Sequence, residues 1–427
     1  VQPVDILILS NGPGEVTTWV KPVVRSLRQL LGDDREQVRM SLVLSPCPHA
    51  TGREATIARR YAEIDRIQEA SQFWPFLLWG RTADQWDWHD RGVVVFLGGD
   101  QIFPVIVGKR LGYRTVIYAE EAARWTHWID AFAVMNPQVA AQAPHHHIHK
   151  LHIVGDLMAE VSPDLDLDAE ELDNPLTALT ITPETELIGL LPGSKPNKLV
   201  QGVPLTLAIA QHLHNSRPQT RFVIPVAPAL ALPDLAAYAD PTRNPFVAKF
   251  GNPSATLIVP TTAGDRPYLQ IEEGPRIELW TESPSYSLLS RCRLCLTTVG
   301  ANTAELTALA VPMIVLLPTQ QLDAMRAWGG ILGLLANLPG VGSGFARVIN
   351  GLMLRRLGLL AWPNRLAGEQ IVPELLGQLH PQSVANLVLD YLMHPEALQD
   401  MRDRLRQLRG APGAAQKLAR LVVENLL

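Results

Sequence analysis

The sequence predicts an α/β protein built as two Rossmann-like domains facing a central cleft. Three observations carry this expectation. Short β-rich apolar runs alternate with segments of helical period, the alternation stops at an acidic segment flanked by prolines, and the same alternation then restarts. With 427 residues, 47% hydrophobic and 19% charged, the chain is too long for one ordinary core and too apolar for disorder.

In the first half the strand-like runs are Val4 to Leu9, Met40 to Leu44, Val93 to Leu97, Thr115 to Tyr118, Ala131 to Met135 and Leu151 to Val154. Between the first two, Val20, Val23, Val24, Leu27, Leu30 and Leu31 share one helical face. Pro22 is expected to be tolerated only if that helix begins within a turn of it, just after a Gly-rich loop. Asp164, Asp166, Asp168, Glu170, Glu171 and Asp173, with Pro163 and Pro175, read as a linker over 163–180 between an N-terminal domain, 1–162, and a second domain, 181–380. In the second domain the expected strands are Leu187 to Leu191, Phe222 to Val226, Ile277 to Trp280, Leu294 to Thr298 and Met313 to Leu317, with helices at Leu205 to Leu213 and Thr303 to Ala310. Thr242 to Gly274, rich in Pro, Gly and Thr and without a period, reads as a long loop or insertion. The tail, 381–427, reads as amphipathic helices, Ser383 to Leu392 and Leu398 to Leu408, packing back on the body.

Several functions are set aside by composition. A net charge of −5, with no nucleic-acid-binding motif, leaves no basic field for a phosphate backbone. Cys292-x-x-Cys295 lies in a strand-like run and lacks a second ligand pair, so with Cys47 it reads as reduced core thiols of a cytosolic protein. The opening residues run straight into a turn and look like a first strand, not a secretory signal. No uninterrupted apolar run is long enough for a conventional spanning helix. Trp328 to Trp362, rich in Leu and Gly with Arg347, Arg355 and Arg356, suits either a surface that touches lipid headgroups or an interior hairpin with snorkelling arginines.

Four turns carry the candidate chemistry. Leu190-Leu191-Pro192-Gly193-Ser194-Lys195 is a strand ending in a tight turn: Gly193 permits close backbone approach, Ser194 donates a hydrogen bond and Lys195 adds charge, which together suit a diphosphate. Thr297 to Glu305 repeats the arrangement, with Gly300, Asn302 and Thr303 at a helix start. Glu305, placed on its first turn, either receives ribose hydroxyls or merely favours its own helix N-terminus. Ser10-Asn11-Gly12-Pro13-Gly14-Glu15 opens the first helix without the third glycine of a dinucleotide fingerprint and fits a sugar or acceptor site. Phe96-Leu97-Gly98-Gly99-Asp100 brings an acidic group to a strand end, where a general base is needed. Asp100 as a solvated surface residue is the bland alternative.

The order and content of these motifs resemble lipid-A-disaccharide synthases along nearly the whole chain. The resemblance includes Val116-Ile117-Tyr118 followed by Trp125, Ile153-Val154-Gly155-Asp156, Pro312-Met313, Pro363-Asn364-Arg365-Leu366-Ala367-Gly368, and Val372-Pro373-Glu374-Leu375-Leu376. It implies the GT-B glycosyltransferase fold and an inverting, metal-independent transfer of a hexosamine from a UDP-sugar to a lipid-linked acceptor at the cytoplasmic membrane face. It further implies no cofactor beyond the UDP-sugar, peripheral contact with the inner membrane and room for a homodimer. Carried over residue by residue, Asp100 and then Glu15 become the catalytic candidates. Gly12, Gly14, Gly193, Ser194, Lys195, Gly300, Asn302, Thr303, Glu305, Asn364 and Gly368 become the nucleotide-sugar-binding candidates. The chain departs from the family's pattern at Asn11 to Glu15, in having Asp100 alone where the family pairs two acids, at Lys195 for Arg, at Asn197-Lys198 for an acidic residue, at Val299 and Ala301, and at Asp156 for His.

A metal reading of His145, His146, His147, His149 and His152, or of Asp164-x-Asp166-x-Asp168, is declined for want of partners at fixed spacing or a strand end. Trp74, Trp79, Trp86 and Trp88 read as packing or as an apolar lip for a lipid acceptor. Two rival functions stay open. One is a UDP-sugar epimerase, for which the first domain shows too few carboxylates, and the other is a non-catalytic nucleotide-sugar-binding relative.

Overall fold

The computed structural model describes residues 2–47, 50, 52, 54–161, 185–228, 230–261, 265–282, 285–318 and 358–426. The chain divides into two compact units, residues 1–161 together with 409–427, and residues 162–408. The proposed linker, 163–180, and all but the last five residues of Trp328 to Trp362 lie outside the described residues.

The first unit holds seven strands: β1 (Val4–Ser10), β2 (Val38–Leu44), β3 (Arg66–Gln68), β4 (Gly92–Phe96), β5 (Arg114–Ala119), β6 (Ala131–Val134) and β7 (Leu151–Ile153). They form one parallel sheet in the order β3-β2-β1-β4-β5-β6-β7. Because side chains alternate across a strand, Ile6, Ile8, Val93, Val95, Val116 and Tyr118 enter one core layer, while Leu7, Leu9, Val94, Phe96, Ile117 and Ala119 enter the other. A sheet covered on both faces needs apolar residues at every position, which is why these strands read as continuous runs.

The second unit holds β8 (Leu187–Leu191), β9 (Arg221–Pro225), β10 (Ala255–Ile258), β11 (Tyr268–Ile271), β12 (Arg276–Trp280), β13 (Leu294–Thr297), β14 (Met313–Pro318) and β15 (Glu374–Gly377). Their order is β10-β11-β12-β9-β8-β13-β14-β15. Pairing is parallel except along β10-β11-β12, which is antiparallel. Along the parallel pairings the strand order reverses direction once in each unit, between β1 and β4 and between β8 and β13. Ligands of doubly wound sheets bind at such reversals, outside the carboxyl ends of the strands, because the flanking connections leave there on opposite faces and open a crevice.

Several expectations change. Thr242 to Gly274 is not a structureless insertion: it holds a short helix, Phe246–Lys249, and the strands β10 and β11. The periodicity was obscured because β10 is an edge strand with Thr256 and Ile258 exposed. The helical run around Pro22 begins nine residues before it, at Pro13, and passes through a wider π turn, Val16–Val20, before the helix Lys21–Leu31. A π turn shifts the hydrogen-bond register, which lets a residue without an N–H sit mid-run. β3 and β15 are too short to show a period. The tail is shared between the units: Pro381–Met393 and Pro395–Leu408 pack in the second, whereas Ala414–Leu426 buries Leu418 and Val422 in the first. Glu160 ties that last helix down, accepting from the amides of Gly413 at 2.7 Å and Ala415 at 3.1 Å.

One buried charge stands at the amino end of the first sheet. Asp5, fully buried on β1, accepts from Arg39 at 2.8 Å, from the Tyr113 hydroxyl at 2.8 Å and from the His89 amide at 2.7 Å. Removing one partner of such a group leaves the others unpaired in a dry site. Asp5→Ala is therefore expected to cost about 3–5 kcal/mol of unfolding free energy, read from urea denaturation of the parent and the variant.

Candidate functional site

All four turns singled out in the sequence fall at the two reversals of strand order. The Asn11 to Glu15 turn follows β1 and the Gly98 to Asp100 turn follows β4. Pro192 to Lys195 follows β8, and Thr298 to Gly300 follows β13. Each unit thus has one composite turn site at the crevice of its own sheet.

In the second unit Gly193 has φ of +110°, which only glycine adopts without strain, and leads into the helix Pro196–Ser216. Gly300 precedes the helix Ala301–Ala308. Both helices begin at the reversal, where the positive dipole end suits a phosphate. In the first, Pro196 has no N–H and the Lys198 and Leu199 amides donate to Lys195 O, which leaves the Asn197 amide, while the second begins with the Ala301 and Asn302 amides. Ser194 and Lys195 are exposed and Asn302 is half-buried. Glu305 stands in the second turn of its helix, not the first, so a stabilising role at the helix N-terminus weakens with distance.

Lys198, which the sequence marks only as a departure, lies between the two turns. Its Cβ comes within 2.7 Å of where a side chain on Gly193 would begin. Its Nζ donates to the Val299 carbonyl at 2.6 Å and lies 3.1 Å from where a side chain on Gly300 would begin. Burial, and then the nearby charge of Lys195, lower its pKa.

Three nucleotide-sugar candidates have other employment. Asn364 is fully buried: its amide nitrogen donates to Val372 O at 2.8 Å and Glu374 Oε1 at 2.7 Å, and its oxygen accepts from the Ile371 and Val372 amides at 2.7 and 2.9 Å. With two donor and two acceptor positions filled, nothing is left for a ligand. Thr303 is buried, donates to Gly300 O at 2.8 Å and accepts from the Trp362 amide at 3.3 Å. Gly368, at φ +72°, ends the helix Trp362–Ala367 as a left-handed cap. The motif that looks most like the family is thus a clamp holding β15.

In the first unit Glu15 folds back so that its carboxylate fills the space a side chain on Gly12 would need. Its Cγ also lies 3.2 Å from the equivalent point on Gly98, while Gly14 faces open space. Asn11 Oδ1 and Ser45 Oγ lie 2.6 and 2.8 Å from where side chains on Gly98 and Gly99 would begin, and neither atom has a partner among the described residues. Buried polar atoms without partners are costly, so this turn keeps hydrogen-bonding capacity that a hydroxyl-rich ligand can use. Asp100 is exposed, and one of its oxygens accepts from the Ile102 amide at 3.0 Å, at the start of the helix Ile102–Leu111.

The expectation of too few carboxylates in this unit is corrected. Glu120, just beyond β5, interacts with Asp156, Glu121 and Glu15, and burial followed by these like charges raises its pKa to about 7. Burial also raises the pKa of Asp156, whose Oδ1 accepts from the Met158 amide at 2.8 Å. Sequence reasoning passed over Glu120 because its signal is spatial: Glu15 after β1 and Asp156 after β7 join Glu121 in making its environment. Among the described residues no group of His, Cys, Asp and Glu forms a metal-binding cluster, and the His-rich segment is a short 3-10 helix, His145–Lys150. Cys292 and Cys295 are buried and unbridged.

A pH test of this cluster follows. From an ordinary 4.5 to the folded value of about 7, the folded state keeps a proton that the unfolded chain has released, so this contribution to stability is lost as pH rises through that window. Glu120→Gln should leave stability near pH 4 little changed and raise it relative to the parent by on the order of 2 kcal/mol at pH 8. Unfolding midpoints of both proteins across this pH range check it.

No family profile matches the chain. Over 248 residues it is 24% identical to a lipid-A-disaccharide synthase from Nitrosococcus oceani, an alignment covering 57% of this chain and 49% of that protein. The chain spans about half the length of the curated relatives it matches. In three dimensions it superposes on UDP-GlcNAc 2-epimerase from Neisseria meningitidis, solved with UDP-GlcNAc, with a TM-score of 0.54 at 11% identity over 99% of each chain. It also superposes on TcCGT1, solved with UDP, with a TM-score of 0.50 at 11% identity over all of both chains. The chain is similar in sequence to the lipid-A-disaccharide synthases and has the two-unit α/β architecture of the GT-B type.

Proposed function

We propose that the protein is a UDP-sugar-dependent glycosyltransferase that moves a hexosamine or related sugar to a lipid-linked acceptor with inversion. The observation that carries this reading is the pairing of two glycine turns and two helix N-termini with Lys198 at the reversal of the second sheet, an environment made for a diphosphate. The sequence similarity to lipid-A-disaccharide synthases supports the donor class and the lipid-linked acceptor. In the reaction the acceptor hydroxyl oxygen bonds to the anomeric carbon as the bond from that carbon to the β-phosphate oxygen breaks. The bonding pair leaves with UDP, and the hydroxyl proton passes to a carboxylate. Helix termini and a lysine serve the leaving diphosphate in place of a metal.

Asp100 is the proposed proton acceptor, exposed at the end of β4, with Glu15 second. Asp100→Asn should keep UDP-sugar binding and lower turnover by roughly 10²- to 10⁴-fold, measured as UDP release with a lipid-linked hexosamine acceptor. Near-normal turnover in Asp100→Asn with a comparable loss in Glu15→Gln or Glu120→Gln transfers the role. A parent that binds donor and releases UDP with no acceptor tried overturns the transferase reading.

A second reading is favoured by one observation. The carboxylates Glu15, Glu120, Glu121 and Asp156 are suited to moving protons at a sugar carbon, as an epimerase does, and the chain superposes over its length on UDP-GlcNAc 2-epimerase. Appearance of the 2-epimer when UDP-GlcNAc is incubated alone with the protein decides for it.

The lipid acceptor and peripheral contact with the cytoplasmic membrane face are supported by an apolar surface on the helix Phe73–Trp79. There Trp74, Leu78 and Trp79 are 51%, 55% and 65% exposed, beside exposed Arg81 and Arg110. Exposed tryptophan with arginine suits a lipid interface. Among the described residues no helix is long and apolar enough to cross a membrane. The protein should sediment with anionic vesicles at low salt and be released by high salt, and Trp74→Ser with Trp79→Ser should weaken sedimentation. Equal recovery of both proteins in the supernatant at low salt removes the membrane contact.

A further inference from the structure

We propose that Lys198 is the residue that holds the diphosphate of the nucleotide, spanning the two glycine turns of the second unit, and that the exposed Lys195 has the lesser part. This rests on the donor reading above and deepens it. Lys198 is the third residue of the helix Pro196–Ser216, where a positive charge opposes the helix dipole. Its ammonium also meets the N-terminal end of the helix Ala301–Ala308, through the Val299 carbonyl at 2.6 Å and the Gly300 position at 3.1 Å. It is half-buried and close enough to Lys195 for the two charges to repel.

A lysine kept for structure alone would be poorly placed here, because two helix N-termini, another cation and partial burial all oppose its charge. The ammonium has three donors, and the Val299 carbonyl takes one. A diphosphate resolves each conflict at once: it meets the remaining donors of the ammonium and the positive ends of both helices. The stem of Lys198 packs over Gly193, where a side chain would begin 2.7 Å from the Lys198 Cβ and 3.1 Å from its Cδ, so position 193 must be glycine for the stem to lie there. Lys195 begins its helix from an extended backbone, and its carbonyl accepts from the Lys198 and Leu199 amides at 2.9 Å each, so its backbone helps to set the position of Lys198.

The test is calorimetric titration of the whole chain with UDP, uridine and inorganic pyrophosphate, for the parent, Lys198→Gln, Lys198→Arg and Lys195→Gln. Glutamine can still donate to the Val299 carbonyl but carries no charge, and unfolding midpoints verify that each variant is folded. Losing a charge-assisted contact should weaken UDP and pyrophosphate by roughly 10- to 100-fold in Lys198→Gln. Uridine affinity should be unchanged, Lys198→Arg should recover most of the loss, and Lys195→Gln should lose less than Lys198→Gln. Parent-like UDP affinity in a folded Lys198→Gln overturns the inference and leaves the donor reading standing. Equal loss of uridine and UDP also overturns it, since that marks a structural role. A parent that binds neither UDP nor pyrophosphate overturns both. If Lys198→Gln does not fold, Lys198→Arg decides, because a guanidinium that keeps the charge should hold UDP within a few-fold of the parent, and a larger loss with parent-like stability counts against the assignment.

Discussion

In a parallel sheet every strand ends at the same edge, and next to the place where strand order reverses two neighbouring strands send their connections to opposite faces. The space between those connections is too narrow for ordinary side chains on the turns and too polar to be left dry. Both units meet this constraint in the same way. Two glycine-bearing turns line the reversal, and one charged side chain from the first helical run folds back between them. In the first unit it is Glu15, set against Gly12 and Gly98. In the second it is Lys198, set against Gly193 and Gly300. The construction is shared and the charge is opposite.

That difference in sign divides the chemistry. An anionic reversal surrounded by Glu120, Glu121 and Asp156 stabilises protonated carboxyls and can exchange protons near neutral pH. A cationic reversal at two helix ends stabilises a polyanion. Proton removal and departure of a diphosphate are the two halves of glycosyl transfer from a nucleotide sugar, and each unit has the electrostatics of one half. The same anionic cluster also suits an epimerase.

Much of this was legible in the sequence, and the reasons for the rest are physical. Buried strands such as β1, β4, β8 and β13 announce themselves because a doubly covered sheet demands unbroken apolar runs, and each is followed within three residues by a glycine in its turn. The edge strand β10 lacks that demand, and β11, four residues long between β10 and β12, is too short to stand out from the Pro-, Gly- and Thr-rich segment around it. Asn364 was read as a ligand residue because a polar side chain in a distinctive motif attracts that reading, yet burial had already spent all its hydrogen-bonding capacity on β15. Spacing along the chain cannot distinguish a polar residue that serves a ligand from one that serves the backbone.

Lys198 and Glu120 show the opposite failure. Lys198 looked like a departure from a familiar pattern and Glu120 like an unremarkable acid between Tyr118 and Trp125, because each acquires its meaning from residues far away in sequence: Val299 and Gly300 for the first, Glu15 and Asp156 for the second. A positive charge at a helix start, as at Lys198, ordinarily costs stability through the helix dipole. Beside a second helix N-terminus that charge meets the Val299 carbonyl, and a bound anion would answer it further. On the proposed donor reading, the cation that meets the diphosphate stands on the first turn of the helix Pro196–Ser216 and not on the exposed turn before it.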